Sequence, residues 1–217
     1  MQRTIFLFAL ALLFGPAAMA QMANTATDMQ FYIMAGMKAF SPKTFNNTES
    51  VAPSMVPTIG GGAIWQVNHW QLGAEFSYLD GKKDTEDFGS ILTGINANIL
   101  AGYRWDLSER TKLSVQSGFG YSLHHLAVTD NNYSGGTKLN STIYHNMVIS
   151  VPVAVTLQRM SNSGIFTGVR VGYHMNIGHN HWRYIEGPVT EEYTSNADGP
   201  YFQIIVGGLL SLKDRRP

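Results

Sequence analysis

From Gln30 onward, apolar and polar side chains alternate with a period of two, the signature of strands with one apolar and one polar face. The clearest run is Ile165 to Ile177. Its odd positions are Ile165, Thr167, Val169, Val171, Tyr173, Met175 and Ile177, against Phe166, Gly168, Arg170, Gly172, His174 and Asn176. Ile91–Trp105, Leu113–Leu123, Ile143–Leu157 and Trp70–Tyr78 repeat the pattern. Weaker alternation over Gln30–Phe40, Thr58–Asn68 and Tyr201–Leu212 brings the expected number of strands to eight. Gly60, Gly61 and Gly62 blur one of these runs and predict a bend.

The connections discriminate better than the strands. Asn68-His69, Asp106–Arg110 and Ser161–Gly164 are short and carry the turn formers Asn, Asp, Ser or Gly. Ser41–Val56, Asp80–Ser90, Val128–Asn140 and His179–Gly199 read as long polar loops. Long and short alternate along the chain. An up-and-down antiparallel barrel then carries all long loops at one rim and all short turns at the other. The expected fold is therefore all-β: an eight-stranded antiparallel up-and-down transmembrane β-barrel with short periplasmic turns and long extracellular loops. Each strand supplies the ~9–11 residues that a tilted crossing needs. Trp65, Trp70 and Trp105 lie close to short turns, where an interfacial aromatic girdle belongs.

The chain starts with MQRTIFLFALALLFGPAAMA. Arg3, the apolar run Ile5–Phe14, the break at Gly15-Pro16 and Ala18-Met19-Ala20 read as a cleaved secretory signal peptide over residues 1–20. Residues 21–29 form an N-terminal extension, 30–212 the barrel and 213–217 a basic tail. No later stretch approaches the ~18 apolar residues of a spanning helix, so any membrane crossing must use a closed barrel.

Composition narrows the function. Lys plus Arg and Asp plus Glu are both 15, and charged residues make up 14% of the chain, against ~25% in ordinary soluble domains. The absence of cysteine removes disulfide scaffolds, thiolate metal sites and thiol nucleophiles. A neutral balance argues against a nucleic-acid partner. The polar face mixes glycines with Lys38, Glu75, Arg104 and Arg170, as suits a narrow lumen filled by side chains of mixed size. Glu75 with Arg104, Arg170 or Lys38 is the expected lumenal ion-pair network, because a lone charge there is costly. The apolar face then meets lipid. The opposite assignment describes a soluble secreted barrel with an apolar ligand inside.

The chain resembles the small eight-stranded outer-membrane proteins, the class that includes the transmembrane domain of outer membrane protein A. The Ala-x-Ala site followed by Gln21 is similar to Bacteroidota members with an outer membrane β-barrel domain. The likeness covers Gln30 to Leu212 as a pattern. It departs at the end, where GGLLSLKDRRP places Leu212 near the position of the family's C-terminal aromatic. The resemblance implies a bacterial outer-membrane location, with lipid and lipopolysaccharide as surroundings.

Candidate chemistry is sparse. His124, His125, His145, His174, His179 and His181 gather toward the long-loop rim, and neutral imidazoles are common metal ligands. A metal site would draw on His124, His174, His179 and His181, with Glu186, Glu191 or Glu192 as a carboxylate. An outer-leaflet lipid A hydrolase needs a serine beside an oriented imidazole facing lipid. Ser122 and His124 share the lumenal face, and His145 points outward with Ser141 four residues away. No phosphate-binding loop, HExxH or GxSxG motif occurs. The expectation is a monomeric, non-enzymatic envelope protein without a cofactor. Its loops would meet an extracellular protein or glycan, or serve a secretion or assembly machine.

Overall fold

The computed structural model describes residues 28–40, 52–86, 88–130, 141–177, 181–184, 193–194 and 198–211. The leader, the first part of the extension, the basic tail, His179 and Glu186, Glu191 and Glu192 lie outside them, as does the side chain of His181.

The chain forms β1 (Asp28–Ala39), β2 (Met55–Val67), β3 (Trp70–Asp84), β4 (Phe88–Asp106), β5 (Thr111–Asp130), β6 (Ser141–Met160) and β7 (Ile165–Ile177). Two short segments follow, β8 (His181–Tyr184) and β9 (Tyr193–Thr194), and then β10 (Gly199–Ser211). Each long strand pairs antiparallel with its predecessor, and β10 returns to pair with β1 and close the barrel. Closure through β1–β7 and β10 makes the predicted eight-stranded barrel. Ala35 leads by its partners through Ile59 and Tyr78 to Ile95, but in the other direction through Ile204, Val169, Leu157 and Leu113 to Trp105. The two routes reach different heights on β4. The strands are therefore staggered and must tilt to close.

The short turns form as their residues direct. Asn68 takes a positive φ of 55°, a region that Asn tolerates better than bulky residues, and Gln66 Nε2 donates to its carbonyl at 2.7 Å. Ser108 Oγ accepts the N–H groups of Arg110 and Thr111 in the β4–β5 turn. Gly164, at φ 79°, turns β6 into β7.

The expected loop over Asp80–Ser90 is corrected. β3 runs on to Asp84 and β4 starts at Phe88, with Asp80 opposite Thr93 and Lys82 opposite Ile91. Asp80, Lys82 and Asp84 all stand exposed on the outward face, where charges do not interrupt a strand. The inward positions Leu79 and Gly81 still pack against the core. β5 and β6 also reach past their expected ends, leaving β3–β6 as a tall wall. β7 stops at Ile177, and β8 takes the place beside the exposed edge of β6, pairing Tyr144 with Tyr184 and His145 with Arg183. Covering that edge protects unpaired backbone groups.

Direction is the decisive feature. Phe31, Ile33, Ile59, Phe76, Ile99, Phe119, Val155, Val169, Val171, Phe202 and Ile204 all stand exposed on the outside. Gln30, Gln66, Gln71, Asn96, Asn98, Ser114, Gln116, Ser122, Ser150, Thr156 and Gln203 are buried inside. A soluble ligand carrier needs the reverse arrangement.

The interior is crowded where glycines face it. A Cβ on Gly62 would strike the Tyr32 ring and the Ala74 carbonyl, one on Gly172 the Tyr201 ring and the Val153 carbonyl, and one on Gly207 the Phe31 carbonyl and the Phe166 ring. Each glycine thus accommodates a large neighbour in a narrow barrel. Gly172→Leu is expected to cost about 1–3 kcal/mol by overpacking. Unfolding in urea measures the loss, and adding Tyr201→Ala to the variant should recover part of it. No recovery would mean that the ring is not the obstacle.

Candidate functional site

The candidate site has two parts: the outer belts that would seat the barrel in a membrane, and the lumen. On the outside, Trp70 and Trp105 are exposed and Trp65 is half-buried, all near the short-turn rim. Tyr103 lies between two of them, with its ring centroid 5.3 Å from Trp70 and 4.9 Å from Trp105. His69 stacks on the same tyrosine at 5.5 Å. A second set, Tyr78, Tyr121 and Tyr173, is exposed toward the long loops. Tyr78 shares β3 and its outward face with Trp70, and the span between them matches the ~9–11 residues of a tilted crossing. Two residues further, Asp80 is the first outward charge on that strand. The tyrosine belt was missed in the sequence, although strand parity counted from Trp70 would have found Tyr78.

The lumen is layered along its axis. At mid-height, Arg170 and Glu75 form an ion pair at 2.6 Å, with side-chain exposures of only 1% and 3%. Glu75 is the hub. It accepts from Arg170 Nη1 and Tyr32 Oη on Oε2, and from Asn98 Nδ2 on Oε1. Arg170 spreads its remaining donors over Thr156 Oγ1 at 3.1 Å and Gln116 Oε1 at 3.3 Å, while its guanidinium lies 5.3 Å from the Tyr32 ring centroid. Gln116 donates onward to Gln71 Oε1 at 3.1 Å. Both charges are thereby paired and hydrogen-bonded, as burial requires.

The expected four-residue network is corrected to separate levels. Arg104 sits toward the short-turn rim, bonded to Gln66 and 3.2 Å from Asp106, with Lys112 also near that carboxylate. Lys38 sits toward the long-loop rim, its ammonium 4.8 Å from the Phe40 ring centroid. The strand rise of ~3.3 Å per residue puts these positions too far along the axis to share Glu75.

At the level of Lys38 and toward the long loops lies an apolar cluster of Phe40, Ala52, Val56, Leu79, Leu92 and Leu126, with Val128 and Tyr144 packed against it. A second cluster of Tyr32, Met34, Ile64, Phe166 and Ile205 fills the lower half. Polar pair and apolar layers together occupy the interior.

In sequence, no family model matches this chain and no curated protein matches it. In structure, the attachment invasion locus protein Ail of Yersinia pestis superposes with a TM-score of 0.51 at 8% identity, over 85% of this chain and 99% of that one. A major outer membrane protein of Thermus thermophilus superposes with a TM-score of 0.55 at 8% identity, over 84% and 99%. The fold is that of the small outer-membrane barrels. At such identity the likeness speaks for architecture alone.

The candidate chemical residues are placed differently from one another. His124 and His174 are buried inside, His124 against the Phe40 ring at 5.5 Å and His174 against Tyr201 at 4.9 Å. Among the described residues, no group of three or more His, Asp or Glu side chains is placed to hold a metal ion. Ser122 is buried in the lumen on the same face of β5 as His124. His145 faces outward and meets the ring of His125.

Proposed function

We propose that this chain is a monomeric protein of the bacterial outer membrane that works without catalysis, through what its long-loop rim presents outside the cell. The observation that carries this reading is the outward apolar band bounded by Trp65, Trp70, Tyr103 and Trp105 on one side and Tyr78, Tyr121 and Tyr173 on the other. Such a band buries itself in hydrocarbon, and aromatic rings favour the two interfaces. The leader read at residues 1–20 supplies export. Inside, the Glu75–Arg170 pair and the apolar cluster around Leu79 and Leu92 support a plugged barrel rather than a pore.

With the lumen plugged and the outer wall in lipid, recognition falls to the loops and to the tall wall of β3–β6. Lipopolysaccharide surrounds the barrel at that level, and an extracellular protein or glycan is the partner class for the loops. The attachment role named for the Yersinia pestis protein belongs to that protein, but the shared architecture suits one here.

A heat-shift gel on purified outer membranes tests the reading. Unboiled protein should migrate faster than boiled protein, and external protease should cut only within 41–54, 131–140 and 178–198. Recovery in the soluble fraction with no shift would overturn it.

A further inference from the structure

The outer face of the β5–β6 hairpin carries a second feature that the barrel itself does not require. His125 and His145 occupy directly opposed positions in the antiparallel register, and both point outward. Their ring centroids are 4.1 Å apart with the planes at 75°. Opposed residues in such a ladder hold their Cβ atoms only ~4.5–5.5 Å apart, so the contact follows from the register. On β5, His125 lies beyond Tyr121 toward the long loops, on the same outward face. His125 is exposed and His145 half-buried.

Neutral imidazole is a common metal ligand, and each ring offers a nitrogen lone pair. Metal–nitrogen bonds of ~2.0–2.1 Å put two donors on one ion roughly 3 Å apart, within the span that rings 4.1 Å apart can present. Imidazole pairs suit zinc, copper and nickel, whereas calcium and magnesium take oxygen ligands. No third His, Asp or Glu completes a cluster among the described residues, so water or an external ligand would fill the other positions.

We propose that His125 and His145 form an open two-histidine site for a divalent late transition-metal ion, on the outer wall just above the membrane. The pair is distinct from His124 and His174, whose parity turns them into the lumen. Its place also gives it a mechanical consequence. The β5–β6 ladder lapses between Ser117–Val153 and Gly120–Ser150, opposite Pro152, which has no N–H to donate. A metal held by one residue from each strand cross-links the hairpin above that lapse. By the usual order of affinities, Cu2+ should bind more tightly than Zn2+.

The test is calorimetric titration of CuCl2 and ZnCl2 into the folded protein in detergent micelles, made without a histidine tag. One ion per chain is expected. His125→Ala and His145→Ala should each weaken binding by at least roughly tenfold, while His174→Ala and His69→Ala leave it unchanged. His125→Asn provides a second variant that keeps a polar side chain on the strand. The copper resonance spectrum should show two nitrogen ligands in the wild type and at most one in either single variant. Zn2+ should also raise the temperature of the heat shift in the wild type only. Unchanged affinity in the double variant His125→Ala/His145→Ala would overturn the proposal, as would a wild type that binds neither metal; the two rings would then be only a packing contact.

Discussion

Glu75→Ala is expected to destabilise the folded barrel by about 3–5 kcal/mol, the usual cost of leaving one member of a buried ion pair alone. Arg170 would keep its charge in the middle of the barrel with neutral partners alone: Thr156, Gln116, Tyr32 and the Met34 sulfur. Tyr32 and Asn98 would lose their acceptor at the same time. Arg170→Ala should cost a comparable amount, because it strands the carboxylate instead. The double variant Glu75→Gln/Arg170→Met should be far milder than either single change. Its amide oxygen still offers an acceptor to one of Tyr32 and Asn98, and no charge remains buried at that level. Urea unfolding in phospholipid vesicles, followed by tryptophan fluorescence, measures all three. Single variants within about 1 kcal/mol of the wild type would show that the pair fills space without holding the lumen together.

Ile99→Arg carries the second large effect. Ile99 is 58% exposed on the outward face of β4, midway between the tryptophan and tyrosine belts. A cation at the bilayer midplane of an outer-membrane barrel costs about 2–4 kcal/mol, and near or beyond the interface about 0–1 kcal/mol. Ile91, on the same strand and face at 45% exposure, lies beyond the belt. Ile91→Arg should therefore be nearly neutral. A soluble protein would tolerate both, since each side chain already faces solvent. Urea unfolding of the two variants in the same vesicles makes the comparison. It isolates the membrane as the cause, because strand, face and substitution are all held constant.

Much of this was legible in the sequence because it is local. Alternation with a period of two comes from the pleat itself, so Ile165–Ile177 declared both its conformation and its two faces. Asn68 and Gly164 marked turns because few other residues accept their backbone angles. Trp65, Trp70 and Trp105 stand at the short-turn rim because they lie beside those turns in sequence. The strand at Asp80–Asp84 was not legible, since its charged outward residues look like those of a loop until Leu79 and Gly81 are seen packing inward.

Other properties depend on register, which no local pattern records. Arg170 meets Glu75 rather than Arg104 or Lys38 meeting it because the stagger of the closed sheet brings β7 and β3 to one height across the lumen. The same closure fills the upper barrel with Phe40, Val56, Leu79, Leu92 and Leu126, drawn from five strands and strand ends. It also sets His125 against His145, although β5 and β6 are joined through a loop. The eight barrel strands, their two faces and the short turns between them could thus be read from neighbours within a few residues, and the glycine-rich polar face from its composition. How far the tall wall rises, where β8 covers β6 and which side chains meet depend instead on how far each tilted strand slides against the next before the barrel can close.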